Sequence, residues 1–376
     1  MKLGFALAAA LVSVAGVASA QTFVKAIDLT SNISTAGVHL AHIDVDNTGA
    51  TPILYVTTLN NSGATQTSIP VFKIADPLGA TPAVTTFASI TGGGLGVNST
   101  RGSGGIAVDG SGNVFVSSTG NGNDASSVIT KYNSAGVAQS SWNFVAGTGN
   151  LQDRTGGIDV NSAGTHAIGA RFLNTSTQKV AFYELTTPDV VRNVPVTNNA
   201  DAGTTDNPRD VAYDPNTGAI YINANAVLEK LAPTGTGVDI TSPSSYAAAT
   251  STSAFIQPAS PTAFNSHAAH GVGVNALGTL IGFTPNPSAG QSPNVAYIVN
   301  PSGAIQYTLG TLNTPATGAG DTTGNIGRAT DVAFFTVGGT EYVAVPDIQN
   351  ATTTNTWNRV VIYSLATSNV SEWMQF

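Results

Sequence analysis

Gly105-Ile106-Ala107-Val108-Asp109-Gly110-Ser111-Gly112-Asn113-Val114-Phe115-Val116-Ser117 reads as two short strands about a tight turn. Ile106 and Val108 alternate with Ala107, and Val114-Phe115-Val116 is β-branched and aromatic. Between them, Asp109-Gly110-Ser111-Gly112 is turn chemistry: a short carboxylate that bonds nearby backbone, followed by residues free to adopt positive φ. The pattern decides the fold because the chain repeats it.

Five further segments carry it. They are His42-Ile43-Asp44-Val45-Asp46, Gly157-Ile158-Asp159-Val160-Asn161, Asp210-Val211-Ala212-Tyr213-Asp214, Gly271-Val272-Gly273-Val274-Asn275 and Asp331-Val332-Ala333-Phe334-Phe335. Each is followed by a turn and a second apolar run. The first apolar residues fall near 43, 106, 158, 211, 272 and 332. A third strand follows in every unit, for example Val128-Ile129-Thr130-Lys131-Tyr132 and Val360-Val361-Ile362-Tyr363-Ser364-Leu365, then a weaker fourth such as Ala304 to Leu309. Such spacing predicts an all-β fold, a six-bladed β-propeller of four-stranded antiparallel blades. Two segments compete to close the ring as the outer strand of the last blade: Phe23 to Leu29, and Val370 to Phe376.

Composition agrees with an all-β chain. Of 376 residues, 41% are hydrophobic and 9% charged, with 41 glycines and 18 prolines. A formal charge of −8 excludes the electrostatic footprint of a nucleic-acid binder. There is no cysteine, so disulfides, thiolate metal sites and haem attachment are excluded. Residues 1–20 have the form of a signal peptide: Lys2, an apolar run to Val17, and Ala18-Ser19-Ala20 before Gln21. The expectation is a single propeller domain over 21–376, exported to a bacterial periplasm or exterior, monomeric, with no membrane span.

Strand alternation sets the faces. Ile43, Ile106, Ile158, Val211, Val272 and Val332, with the residues two positions later, should pack between blades. The intervening positions should face the channel. They are mostly small, as where six strands converge, but they include His42, Asp44, Asp159, Asp210 and Asp331. The segments leading into these strands hold four of the chain's five histidines and four of its arginines, on one face. Arg101, Arg154, Arg209, Asp210, Arg328 and Asp331 are the candidate ligand-binding residues there. His39-x-x-His42 and His267-x-x-His270, with Asp44 and Asp159, are candidate metal ligands, since imidazole suits zinc and neighbouring aspartates can complete a shell. The competing reading is structural: the histidines bond loop carbonyls, and the aspartates pair with Arg154, Arg209 or Arg328 or with loop amides. The turn residues Asp46, Asp109, Asp214, Asn161 and Asn275 are assigned to fixing their turns.

The inner-strand pattern, apolar-small-Val-Asp followed by Gly-x-apolar-Tyr/Phe-Val, resembles the NHL-type and related six-bladed propellers over residues 40 to 365. That group includes gluconolactonase-like and peptidylglycine-lyase-like enzymes, so the resemblance implies a channel that holds calcium or zinc. Glu184, Glu229 and Glu341 all lie on second or third strands, which departs from the lactonase ligand pattern. Three functions stay open. The first is an exported scaffold that binds a small molecule, glycan or protein through its polar face, with no certain cofactor. The second is a divalent-metal lyase or hydrolase at the channel mouth, and the third a cell-surface structural protein.

Overall fold

The computed structural model describes residues 21–33, 38–60, 68–91, 105–118, 128–143, 154–172, 180–186, 191–192, 208–224, 227–235, 239–246, 251–252, 271–284, 294–311, 314–349 and 357–366. The leader, the second His-x-x-His pair and the C-terminal competitor for closure lie outside them.

Six antiparallel sheets are arranged as blades. Blade 1 is β2 (Val38–Asp46), β3 (Ile53–Asn60), β4 (Ser68–Ala75) and β5 (Ala83–Thr91). Blade 2 is β6 (Ile106–Val108), β7 (Val114–Ser118), β8 (Val128–Tyr132) and β9 (Ala138–Asn143). Blade 3 is β10 (Arg154–Val160), β11 (His166–Phe172), β12 (Val180–Glu184) and β13 (Val191–Arg192). Blade 4 is β14 (Pro208–Tyr213), β15 (Ile220–Ala224), β16 (Val227–Leu231) and β17 (Ser251–Thr252). Blade 5 is β18 (Val272–Val274), β19 (Ile281–Phe283), β20 (Val295–Val299) and β21 (Ile305–Gly310). Blade 6 has a broken first strand, β22 (Arg328–Ala329) and β23 (Ala333–Val337), then β24 (Thr340–Ile348) and β25 (Asn358–Leu365).

The outer strand of blade 6 is β1 (Gln21–Asp28), from the other end of the chain. It pairs antiparallel with β25 from Gln21↔Leu365 to Asp28↔Arg359. The N-terminal segment therefore closes the ring, covering a strand edge that an open propeller would expose. Among the described residues there is no α-helix, and no helix is long and apolar enough to cross a membrane.

The core is divided into wedges, one at each blade junction, as expected of a repeat fold in which each unit buries its face against its neighbours. Between blades 6 and 1 lie Ile43, Val45, Leu54, Phe72, Phe335 and Ile362. Tyr55, Val71, Ile106 and Val116 fill the next, and the remaining junctions are filled the same way. The turns behave as expected. Asp109 accepts the amides of Ser111 and Asn113, both at 2.9 Å, with Gly112 at φ +74°. Asp46 and Asp214 likewise accept the amides two residues on, whereas Asn161 and Asn275 reach four and five residues on.

Candidate functional site

The site is built where the inner strands bend. In β2, β10 and β14 the pairing register slips between Leu40 and Ile43, between Thr155 and Ile158, and between Pro208 and Asp210. In blade 6 the same position is the break between β22 and β23. A bulge frees backbone groups and re-aims a side chain. His42, Asp210 and Asp331 lie at these irregular positions.

Each axial carboxylate uses both oxygens in one way. Asp331 accepts the amide of Val332 on Oδ1 (2.7 Å) and that of Ile43, in blade 1, on Oδ2 (2.9 Å). Asp210 accepts Val211 on Oδ1 (2.9 Å) and Val272, in blade 5, on Oδ2 (2.8 Å). Two residues further along the strands the arrangement recurs in a second layer. Asp44 bonds Val45 (2.7 Å) and Val108 (2.6 Å), and Asp159 bonds Val160 and Tyr213 (both 2.7 Å). Four aspartates thus clasp blade 6 to 1, 1 to 2, 3 to 4 and 4 to 5.

The glycines are the counterpart of these clasps. A Cβ at Gly157 would overlap the Asp210 carboxylate, and one at Gly271 the Asp331 carboxylate. Where no carboxylate intervenes, the strands approach directly: a Cβ at Gly105 would meet Ile158 N at 2.5 Å, and one at Gly273 would overlap Val332 O. The small residues on the axial face therefore answer to particular neighbours, and not only to general crowding at the axis.

His42 lies between the two carboxylates, its Nδ1 3.2 Å from Asp331 Oδ2 and 3.6 Å from Asp210 Oδ2. All three residues are buried, at 1–4% exposure. Burial alone would lower the basicity of His42; the charges and hydrogen bonds of Asp210 and Asp331 overcome it and raise it to about 10. Burial, then the Asp210 charge, lifts Asp331 to about 7. In the second layer, burial raises Asp159 to about 7 against the pull of its two amides, and burial with the Asp159 charge raises Asp44 well above the usual carboxylate range.

A cavity of about 400 Å³ runs along the axis. Its inner end reaches Asp210 and Asp331, its walls include Asp44, Val108, Asp159 and Val274, and its outer end is rimmed by Asn47, Gly110, Ser162 and Pro215. It lies on the side of the turns that follow the inner strands.

Of the sequence candidates, the structure brings together His42, Asp210 and Asp331, and sets Asp44 and Asp159 beside them in the cavity wall. His39 is buried in β2, outside that group. Arg209 is partly exposed next to Asp210. Arg328 is largely buried, with Nε and Nη2 lacking hydrogen-bond partners among the described residues, and burial lowers its guanidinium to about 10. Arg101, His267 and His270 lie outside the described residues, as does the side chain of Arg154. The structural reading put the aspartates on arginines or loop amides; the amides they accept are those of strands, in their own and in neighbouring blades.

Sequence reading also missed the residues that hold the bent backbone. Thr57 Oγ1 accepts the His42 amide (3.0 Å), Ser117 Oγ that of Gly105 (2.8 Å), and Thr284 Oγ1 that of Gly271 (2.9 Å). Asn223 Nδ2 donates to Gly271 O and Thr284 O, both at 2.9 Å. The signal was present as a polar residue directly after the apolar run of the second strand.

The geometry defines a six-bladed propeller with an acidic axial cavity and a His-Asp-Asp group at its inner end. No protein-family model and no curated protein matches the sequence. Solved structures with a similar fold include a gluconolactonase from Xanthomonas campestris, 12% identical, TM-score 0.45, covering 92% of this chain and 99% of that one. A chain of a nidogen/laminin complex is 12% identical with a TM-score of 0.44, covering 72% of this chain and 79% of that one. The Malassezia sympodialis allergen Mala s 1 is 11% identical with a TM-score of 0.44, covering 88% and 79%.

Proposed function

We propose that this protein is a binding propeller that takes a small polar molecule into its axial cavity. The observation that carries the reading is the cavity itself. Its volume of about 400 Å³ falls within the usual range for small-molecule sites. Asp44, Asp159, Asp210 and Asp331 face or reach it, and His42 is the cation among them. Burial raises the proton affinity of Asp44, Asp159 and Asp331, so the wall can both donate and accept hydrogen bonds, which favours neutral, hydroxyl-rich molecules or small cations over anions. Calorimetric titration with neutral sugars, polyols and amines, against sugar phosphates and carboxylates, tests this. Val274→Phe fills the cavity from a wall position and should abolish binding while circular dichroism stays unchanged. Equal binding by that variant, or a preference for anions, would overturn the reading.

The convergence of His42, Asp210 and Asp331 favours a second reading, a metal-dependent lyase or hydrolase acting at the same cavity. The leader supports export. Cleavage after Ala20 would leave β1 intact, because that strand begins at Gln21, whose Nε2 donates to Thr308 O at 2.7 Å. Sequencing the N-terminus of the protein from its native host should begin at Gln21; an intact Met1 on cytosolic protein would reject export.

A further inference from the structure

We propose that His42 Nδ1, Asp210 Oδ2 and Asp331 Oδ2 form a three-ligand site for a divalent transition metal of the zinc class, open to the axial cavity at a remaining position. The three ligand atoms come from blades 1, 4 and 6 and lie within 4.8 Å of one another.

The spacing is the first argument. Charge-assisted N–H···O bonds are about 2.7–2.9 Å long. The His42 nitrogen stands 3.2 and 3.6 Å from its two carboxylates. Those separations bracket the edge of a tetrahedron with zinc–ligand bonds of 2.0 Å, which is ~3.3 Å.

The second argument is orientation. Ligating carboxylates are themselves hydrogen-bonded in working metal sites. Here the Val332 and Val211 amides fix each Oδ1, while each Oδ2 takes one strand amide, from Ile43 or Val272, and also faces His42 Nδ1. Thr57 holds the His42 backbone, and Gly157 and Gly271 leave room for the two carboxylates.

Ligand chemistry selects the metal. Calcium takes six to eight oxygens, and magnesium is bound through oxygens and waters. One imidazole and two carboxylates suit zinc, and three protein ligands are the catalytic pattern, with a position left for water or substrate. Binding would displace the His42 proton; the neutral imidazole, two carboxylates and a divalent ion then sum to zero charge. Asp44 and Asp159 do not join the set: among the described residues, the ligand atoms that gather within 4.8 Å of one another are those of His42, Asp210 and Asp331. The proposal uses the cavity reading only for the open position.

The test uses untagged full-length protein, stripped with chelator and titrated with zinc and with cobalt. Wild type should bind one metal per chain, gain melting temperature with zinc but not with calcium or magnesium, and give the visible absorption of a tetrahedral cobalt site. Asp331→Asn and His42→Gln should bind about 100-fold more weakly. Val274→Phe should bind metal normally even as it loses cavity ligands, so the two readings fail separately. Uptake that is unchanged in an Asp210→Asn, Asp331→Asn double variant would overturn the proposal. If the variants do not fold, wild type still decides: no zinc uptake, or a cobalt spectrum without the tetrahedral band, rejects the site.

Discussion

The axis and the closing blade each bury charge, and they do so differently. In blade 6, Arg359 and Asp347 are both fully buried, with Nε 2.8 Å from Oδ2. The other two guanidinium nitrogens donate to Asp321 O and Asn325 O at 2.7 Å, and Asp347 Oδ1 takes the amides of Gly327 and Arg328. The guanidinium also lies over Trp357, 5.2 Å from the ring centroid. One cation meets one anion at hydrogen-bond length and each nitrogen is used. At the axis, one imidazole faces two carboxylates at 3.2 and 3.6 Å beside a cavity. The first is a closed lock that fastens the 314–327 segment to the ring. The second is the place we propose for a further cation. Burial of charge alone thus does not mark a site; imbalance, long contacts and access do.

The largest effect should come from breaking the lock. Arg359→Ala strands Asp347 in the interior, and removing one partner of a buried pair costs about 3–5 kcal/mol. Urea unfolding should show that loss with metal uptake unchanged. A loss below ~1 kcal/mol would mean that the pair does not hold the closing blade.

The second layer gives a pH test. Asp159 has its carboxyl raised from 3.8 to about 7. The folded state therefore holds the proton more tightly than the unfolded chain. Its contribution is fully present below pH 4 and is lost as pH rises to about 7, on the order of a few kcal/mol. Asp159→Asn removes the ionisable group, but its amide nitrogen cannot accept the second strand amide. The variant should be less stable than wild type at pH 4, by about 1–3 kcal/mol for the lost acceptor, and should lose that part of the pH slope, so that the difference narrows by pH 8. Parallel profiles for the two proteins would show that Asp159 is ionised at no such cost.

Much of this was legible in the sequence. Six repeats of an alternating strand fixed the ring, and parity placed His42, Asp210 and Asp331 on one axial face. The bulges were not legible, because one extra residue in an apolar strand has no composition of its own. Without them, Asp44 and Asp159 look as good as Asp210 and Asp331 for holding a metal. Ring closure was ambiguous because Phe23 to Leu29 and Val370 to Phe376 both offer strand-forming residues. The lock was invisible, since Arg359 and Asp347 lie on second and third strands and only register brings them opposite each other.

Gly271→Ala probes the fit of the axial cluster. The new methyl would overlap the Asp331 carboxylate, so Asp331 must shift or the strand must bend, at about 1–3 kcal/mol. Ala at Gly338, where nothing lies within 4 Å, meets no such neighbour; its penalty is only that of a φ of +58°. Metal affinity should fall in the first variant and not in the second. Equal affinities would separate Asp331 from the metal.

The smallest effect separates the axis from a plain blade. Thr57 and Ser117 do the same backbone work, each accepting an amide of the neighbouring inner strand. Thr57→Val and Ser117→Ala should each cost about 1 kcal/mol, the order expected when a buried amide loses its acceptor. Stability therefore cannot tell them apart. Metal affinity can, because Thr57 holds His42 whereas Ser117 holds Gly105. Groups that orient a metal ligand are worth about 10–100-fold in affinity. Zinc binding should weaken by at least ~10-fold in Thr57→Val and stay at the wild-type value in Ser117→Ala. If both variants bind zinc as wild type does, Thr57 only replaces a ladder bond lost at the bulge, and His42 is held by its carboxylates alone.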